Sequence, residues 1–247
     1  MKSASFSHQF QFQDCEIPVK VYFEYRSTSR YALGKNSFIF RIPQQLESSK
    51  RQEVFRNGIS WAENLLKRKP SALNIFRPVS YRDGDVIAFY DKKWSLSFSD
   101  KGRPSIQIKG KENTIYFNGL SNEDNKCSDP AVSKAMQKLL SQYYRQKVFS
   151  RASEIAAQKE LPAPSELKLK YMSSRWGSCL STGGKVNLNT RLLLAPVEVL
   201  DSVIVHELCH FIHMDHSRKF WNLVFRCCPD YQTHSRWLKI NGNLLRL

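Results

Sequence analysis

The sequence has no long apolar run and no repeated or low-complexity segment, and each absence excludes a class of protein. No apolar run approaches the roughly 18 residues of a transmembrane helix, so no membrane partner is expected. The first ten residues lack the apolar segment of a secretory signal, so export is not expected either. Since 41 % of the 247 residues are hydrophobic, a sizeable core can form. We expect a globular, water-soluble protein.

Cysteine is also scarce. The chain has six cysteines, and no two of them form a C-x-x-C pair. This number is too small for a disulfide scaffold in a chain of 247 residues. Reduced thiols and a cytoplasmic location are therefore predicted.

Acidic residues are outnumbered, with 22 Asp and Glu against 38 Lys and Arg, which gives a net charge of +16. Such a surplus favours polyanionic partners, either nucleic acid or nucleotides. The basic residues are spread over the whole chain, so a generally basic surface without a dedicated site is the alternative.

The front of the chain alternates apolar and polar side chains over residues 18–42, which predicts strands. The spacing changes to three and four over Ser48–Arg68, which predicts an amphipathic helix. Short apolar runs separated by turn residues over Val79–Phe117 predict a small antiparallel sheet. The polar segment 118–129 then breaks every period and suits a linker. We therefore predict a β-rich N-terminal domain over residues 1–120.

The remaining residues, 121–247, contain segments with helical spacing and segments with strand spacing of apolar residues. A long basic helix is predicted from Pro130 to about residue 159. A strand over 167–171 and a hairpin over 175–189 follow, and another helix begins near Pro196. The fold class predicted for the whole chain is α+β.

The last of these helices carries the segment His206-Glu207-Leu208-Cys209-His210. The two histidines are one helical turn apart, so both imidazoles can reach one ion. Glu207 points to the side, where it can act as a general base on a metal-activated water. One apolar stripe is predicted on the opposite face, and it consists of Val197, Leu200, Ile204, Leu208 and Phe211. Histidines that merely fill a core are the alternative.

A catalytic zinc needs a third protein ligand and an open position. No glutamate follows Glu207, which leaves the downstream donors His213, His216, His234, Asp215 and Asp230. His216 is predicted as the ligand, because five intervening residues let the chain leave the helix, turn and return an imidazole. His213 is nearly in line with His210, so it is assigned either a supporting role or none. One Zn²⁺ per chain is expected.

Several motifs together resemble one family. They are Ser174-Arg175-Trp176-Gly177-Ser178-Cys179, Val186-Asn187-Leu188-Asn189, Val205-His206-Glu207-Leu208-Cys209-His210, and His216-Ser217 with Phe220-Trp221. They are similar to the YgjP-like metallopeptidases, which are akin to the WLM and SprT-like proteases. The resemblance implies zinc ligands at His206, His210 and His216, catalysis by Glu207, and a zincin-like domain over residues 121–247.

The hairpin before Pro196 is a candidate for the edge strand along which a peptide substrate lies. Arg175, Trp176 and Asn187 are then candidate substrate-binding residues, and Arg175 could hold an oxyanion or a phosphate. An arginine stacked on Trp176 for structural reasons is the alternative.

The sequence leaves three functions open. The leading hypothesis is a zinc metallopeptidase that hydrolyses a peptide or protein substrate with Glu207 as general base. The second is a nucleotide or phosphoester hydrolase that uses the same site. The third, a nucleic-acid-binding module with structural zinc, is disfavoured because structural sites usually have four protein ligands, often cysteines.

Overall fold

The computed structural model describes residues 5–77, 79–90, 92–120, 126–127 and 130–247. The chain divides into two compact units, Met1–Pro78 and Val79–Leu247. Both contain helices and strands, so the α+β prediction is confirmed. The division falls well before the predicted boundary at residue 120. Most of the predicted linker, residues 121–125 and 128–129, lies outside the described residues.

The first unit is a four-stranded sheet covered by one helix. Its strands are β1 (Ser5–Phe12), β2 (Cys15–Glu24), β3 (Arg30–Leu33) and β4 (Phe38–Pro43), in the spatial order β1-β2-β4-β3. The helix α1 (Ser48–Arg68) has the predicted bounds and leads into a short 3₁₀ helix (Pro70–Ile75). Alternate residues of β2 are buried, because side chains alternate between the two faces of a strand.

The second unit begins with the short strands β5 (Tyr81–Arg82), β6 (Val86–Phe89), β7 (Lys92–Ser99), β8 (Ser105–Lys109), β9 (Thr114–Asn118) and β10 (Lys126–Cys127). It continues with α2 (Pro130–Gln158), β11 (Glu166–Lys170), β12 (Gly177–Leu180) and β13 (Lys185–Asn189). It ends with α3 (Val197–Cys209), α4 (Arg218–Cys227) and α5 (Tyr231–Asn241). Short 3₁₀ helices lie at Thr190–Leu194 and Gly242–Leu244.

Two of the sheets in this unit determine its layout. One has the order β6-β7-β9-β8, and β7 pairs with β9 in parallel, so the prediction of a purely antiparallel sheet is wrong. The other has the order β11-β13-β12, with β12 and β13 forming the predicted hairpin. Gly183 and Gly184 both adopt positive φ in its turn, which glycine tolerates best.

The sheet β6-β7-β9-β8 belongs to the second unit because it packs against helix α2. Its buried residues recur mostly at every fourth position and share one core cluster with residues of β6, β7 and β9. The phenol of Tyr144 accepts a 2.7 Å hydrogen bond from Trp94 Nε1 and donates a 3.1 Å bond to the Phe89 carbonyl. The β-rich segment 79–118 therefore packs with α2 in one core, which residue spacing within each segment cannot reveal.

Two further observations concern the helices and the cysteines of the described residues. None of the helices in this part of the chain is long and apolar enough to cross a bilayer. The five cysteines whose side chains are described (Cys15, Cys179, Cys209, Cys227 and Cys228) are all free thiols.

Candidate metal centre

Helix α3 carries the first two histidines. It begins after Pro196, as predicted, and His210 forms its C-cap. Nine of its 13 residues are buried, including Glu207 and Cys209. The predicted stripe does face the core, since Leu200, Ile204 and Leu208 are fully buried, but α3 is also buried on other sides. The Arg151 guanidinium of α2 adds a two-point contact with the Asp201 carboxylate, at 2.6 and 3.2 Å.

The chain then turns and returns His216 to the same place. Ser217 caps α4 by accepting a hydrogen bond from the Phe220 N–H at 3.4 Å. His216 immediately precedes this cap, and its Nε2 lies 3.3 Å from Nε2 of His206. One donor atom from each of His206, His210 and His216 lies within 4.8 Å of the others. The structure thus brings together the three histidines that the sequence predicts as metal ligands.

Two of the histidine rings, those of His206 and His210, have a hydrogen-bonding partner at Nδ1, so Nε2 is the nitrogen available to a metal. His210 Nδ1 lies 3.0 Å from the carbonyl oxygen of His213, which can only accept, so Nδ1 carries the proton. His206 Nδ1 lies 3.0 Å from the Tyr231 hydroxyl. Nε2 of His210 therefore holds the lone pair, and Nε2 of His206 does so when His206 Nδ1 donates to the Tyr231 oxygen, the arrangement that metal-ligating histidines usually show. His213 contributes its backbone carbonyl to this arrangement.

The donor set fits zinc. Two nitrogens at zinc–nitrogen distances of roughly 2.0–2.1 Å in tetrahedral geometry lie about 3.4 Å apart, and His206 and His216 show 3.3 Å. Burial, with repulsion from His210 and His216, lowers the pKa of His206 to about 4. Burial also lowers the pKa of His210. Both rings are therefore neutral near pH 7, which is the form that binds a metal.

Glu207 is the acidic group beside this cluster. Its side chain is buried, with 5 % of the residue exposed. Burial raises the pKa of its carboxyl to about 8, and the nearby Arg175 guanidinium opposes this rise. A Cβ added to Gly177 would lie 2.3 Å from Glu207 Oε1, so the first residue of β12 packs directly against the carboxylate. A buried carboxyl group thus lies beside a three-nitrogen cluster.

The remaining candidate donors lie elsewhere. Cys209 is fully buried, and burial raises the pKa of its thiol to about 12. His234 Nδ1 lies 3.9 Å from the Cys228 sulfur. Among the described residues, the only group of three or more potential metal donors is the three histidines. This leaves a fourth position open, as in catalytic zinc sites, whereas structural sites are closed by four protein ligands.

Two of the three predicted substrate-binding residues line a cavity of about 310 Å³ beside Glu207 and His206, namely Arg175 and Trp176. Asn187 does not line it. The reason is that β13 is the central strand of its sheet, with β11 on one side and β12 on the other. Asn187 instead donates a 3.3 Å hydrogen bond to Ser178 Oγ across the hairpin. The edge of the hairpin is β12, so an edge position for Asn187 is wrong.

The alternative for Trp176 was a structural stacking contact with an arginine. Trp176 makes such a contact, but with Arg191 and not with Arg175. The Arg191 guanidinium lies 4.8 Å from the centre of the Trp176 ring. The same guanidinium donates to the backbone carbonyls of Gly242 and Leu245. Trp176 is therefore held in place by a part-buried cation–π contact and also lines the cavity.

Sequence reasoning missed two supporting residues. Tyr231, the first residue of α5, contacts His206 although 25 positions separate them. Asn189, 1 % exposed, donates to the carbonyls of Met172 and Arg175 at 2.6 and 2.9 Å and so holds the segment that leads into β12. Asn189 belongs to the motif Val186-Asn187-Leu188-Asn189, but no local sequence pattern indicates a role for Tyr231.

The chain matches a family model and solved structures. A family model described as YgjP-like, metallopeptidase domain, matches residues 32–241. A crystal structure of the metallopeptidase zymogen of Pyrococcus abyssi abylysin matches with 19 % identity and a TM-score of 0.33, over 41 % of this chain and 95 % of that chain. No functionally curated protein matches.

Proposed function

This chain belongs to the YgjP-like metallopeptidase family, and we propose that it is a zinc-dependent peptidase with Glu207 as general base. The ligands in this proposal are His206, His210 and His216. The observation that carries it is the convergence of three imidazoles beside a buried acidic side chain. Three nitrogen ligands with one open position are the usual donor set of a catalytic zinc.

Each residue has a defined task in this proposal. A zinc ion held by the three histidines would supply a Lewis acid, which polarises a carbonyl and lowers the pKa of water. Glu207 accepts the proton from the attacking water and delivers it to the leaving amine. Tyr231 keeps the His206 ring oriented.

The edge of β12 suits an extended peptide. Within the described part of the chain, β12 pairs only with β13, so its other edge is available for backbone pairing. Gly177 at the start of β12 contacts Glu207. A peptide added along this edge would therefore pass next to the general base.

A phosphoester hydrolase remains the second candidate, because Arg175 lies beside the same carboxylate and the net charge is +16. The test compares a mixed peptide library with a panel of nucleotides and phosphodiesters, each with and without a chelator. We expect cleavage of peptides only, lost with chelator and restored by zinc.

The matched variant is Glu207→Gln, which keeps the shape of the side chain and cannot accept a proton. We expect wild-type zinc content and a loss of turnover of about 10²–10⁴-fold. Turnover confined to the phosphate panel would replace the peptidase with a phosphohydrolase. A Glu207→Gln protein with wild-type turnover would remove Glu207 from the mechanism.

A further inference from the structure

Two adjacent cavities extend from Glu207 along α4 and α5. The cavity of about 310 Å³ beside Glu207 and a second cavity of about 770 Å³ share the lining residues Tyr231, Ser235 and Lys239. The second cavity continues along Arg218, Trp221 and Phe225 of α4. We call the two together the α4–α5 groove. It connects the candidate catalytic centre with a surface that the mechanism above does not use.

The charge of the groove is strongly one-sided. Four basic residues line it, and they are Arg175, Arg218, Arg236 and Lys239. All four are exposed, and none has an ion-pair partner among the residues that the structure describes. The acidic side chain in the lining is Glu207 itself. A concave surface with charge of one sign concentrates ligands of the opposite sign.

The wall of the groove is aromatic. Trp221, Phe225 and Tyr231 line it, and Trp221 also lies 5.6 Å from the His216 ring, centre to centre. The wall therefore reaches two of the three histidines, since Tyr231 contacts His206. An apolar wall together with basic side chains suits a peptide in which acidic and apolar residues alternate.

Two observations favour a peptide over a single-stranded nucleic acid. Bases bind by stacking on open ring faces, and one face each of Trp221 and Tyr231 is already covered, by Phe225 at 24° and by His206 at 12°. In addition, the edge of β12 offers backbone N–H and C=O groups at the Glu207 end of the groove, which pair with another polypeptide.

We infer that the α4–α5 groove selects acidic peptide segments next to the scissile bond. This inference rests on the proposed peptidase function and names its substrate class. Arg218, Arg236 and Lys239 are then specificity-determining residues, and they act by pairing with Asp or Glu side chains of the substrate.

The test uses quenched fluorescent peptides with one neutral core and flanks of Glu, Gln or Lys on either side of the cleavage site. We expect kcat/KM to fall by about tenfold or more from Glu to Lys flanks on one side, with the difference shrinking as salt rises. Arg218→Glu and Lys239→Glu should each reduce or invert this ratio. Lys219→Glu is the matched control, because Lys219 is an exposed residue of α4 outside the groove and the charge change is the same.

The other possible outcomes distinguish a failure of the acidic-peptide inference from a failure of the proposed peptidase function. Equal kcat/KM for Glu and Lys flanks would overturn the inference and leave the peptidase intact, whereas no cleavage of any peptide, including the Gln-flanked one, would overturn both. A shift in Lys219→Glu as large as in the groove variants would mean that overall charge, not the groove, selects the substrate. An oligonucleotide that competes with the neutral peptide, and loses this ability in the groove variants alone, would reassign the groove to nucleic acid if acidic flanks give no advantage.

Discussion

Gly177 of β12 contacts the carboxylate of Glu207, and a Cβ at position 177 would lie 2.3 Å from Oε1 and 2.7 Å from Cδ. No side chain fits there unless Glu207 moves. The backbone of Gly177 lies outside the positive-φ region, so alanine is excluded by this contact rather than by its own conformation. The identity of residue 177 therefore fixes the position of the proposed base.

We expect Gly177→Ala to bind zinc like the wild type and to lose about 100-fold in kcat, because a displacement of about 1 Å in a catalytic group costs that much. Steady-state kinetics and elemental analysis measure the two quantities. Gly110→Ala is the control, since its Cβ would meet only the hydroxyl end of the partly exposed Tyr143. Wild-type kcat in Gly177→Ala would show that Glu207 tolerates displacement.

The second prediction concerns the third ligand. His216→Ala should bind zinc much more weakly and retain far less than one ion per chain after dialysis, because only two nitrogens remain. His234→Ala should bind zinc normally, since His234 lies beside Cys228 and outside the three-histidine group. Equal zinc content in His216→Ala and wild type would assign the third ligand to another residue.

Tyr231→Phe tests the support of His206. The phenyl ring keeps the packing, and the variant loses only the hydroxyl that lies 3.0 Å from His206 Nδ1. We expect the zinc dissociation constant to rise about 10–100-fold, measured by competition with a chelator. Tyr171→Phe removes a hydroxyl from a residue that is 54 % exposed and should change nothing. Unaltered affinity in Tyr231→Phe would show that the hydroxyl does not orient the ligand.

Asn187→Pro tests the sheet order. Because β13 pairs on both sides, removing its N–H at residue 187 should destabilise the second unit by about 2 kcal/mol or more, with reduced activity as a consequence. Asn187→Ala loses only the side-chain bond to Ser178 and should cost about 1 kcal/mol. Urea denaturation gives both values. A stable Asn187→Pro protein in which only KM rises would instead place residue 187 at a substrate-binding edge.

Local patterns were sufficient for most of the elements near the site. The helix period gave α1 its observed bounds and placed α2 within a residue or so, because the burial of one helix face is visible in spacing alone. The hairpin could be predicted because glycines mark its turn. The motif segments also identified the family correctly, and the family model now confirms this identification over residues 32–241.

The sequence by itself therefore determined the α+β class, the family, and three histidines that one helix turn and one chain reversal can bring together. Only the tertiary structure decided that the division falls at residue 78, that β13 is central, and that α3 is buried on nearly all sides. It also decided that Tyr231, Gly177 and Lys239 line one cavity with Glu207 and His206. The physical reason is that periodicity reports which face of an element is apolar, whereas strand order and contacts between distant residues depend on which partner covers that face.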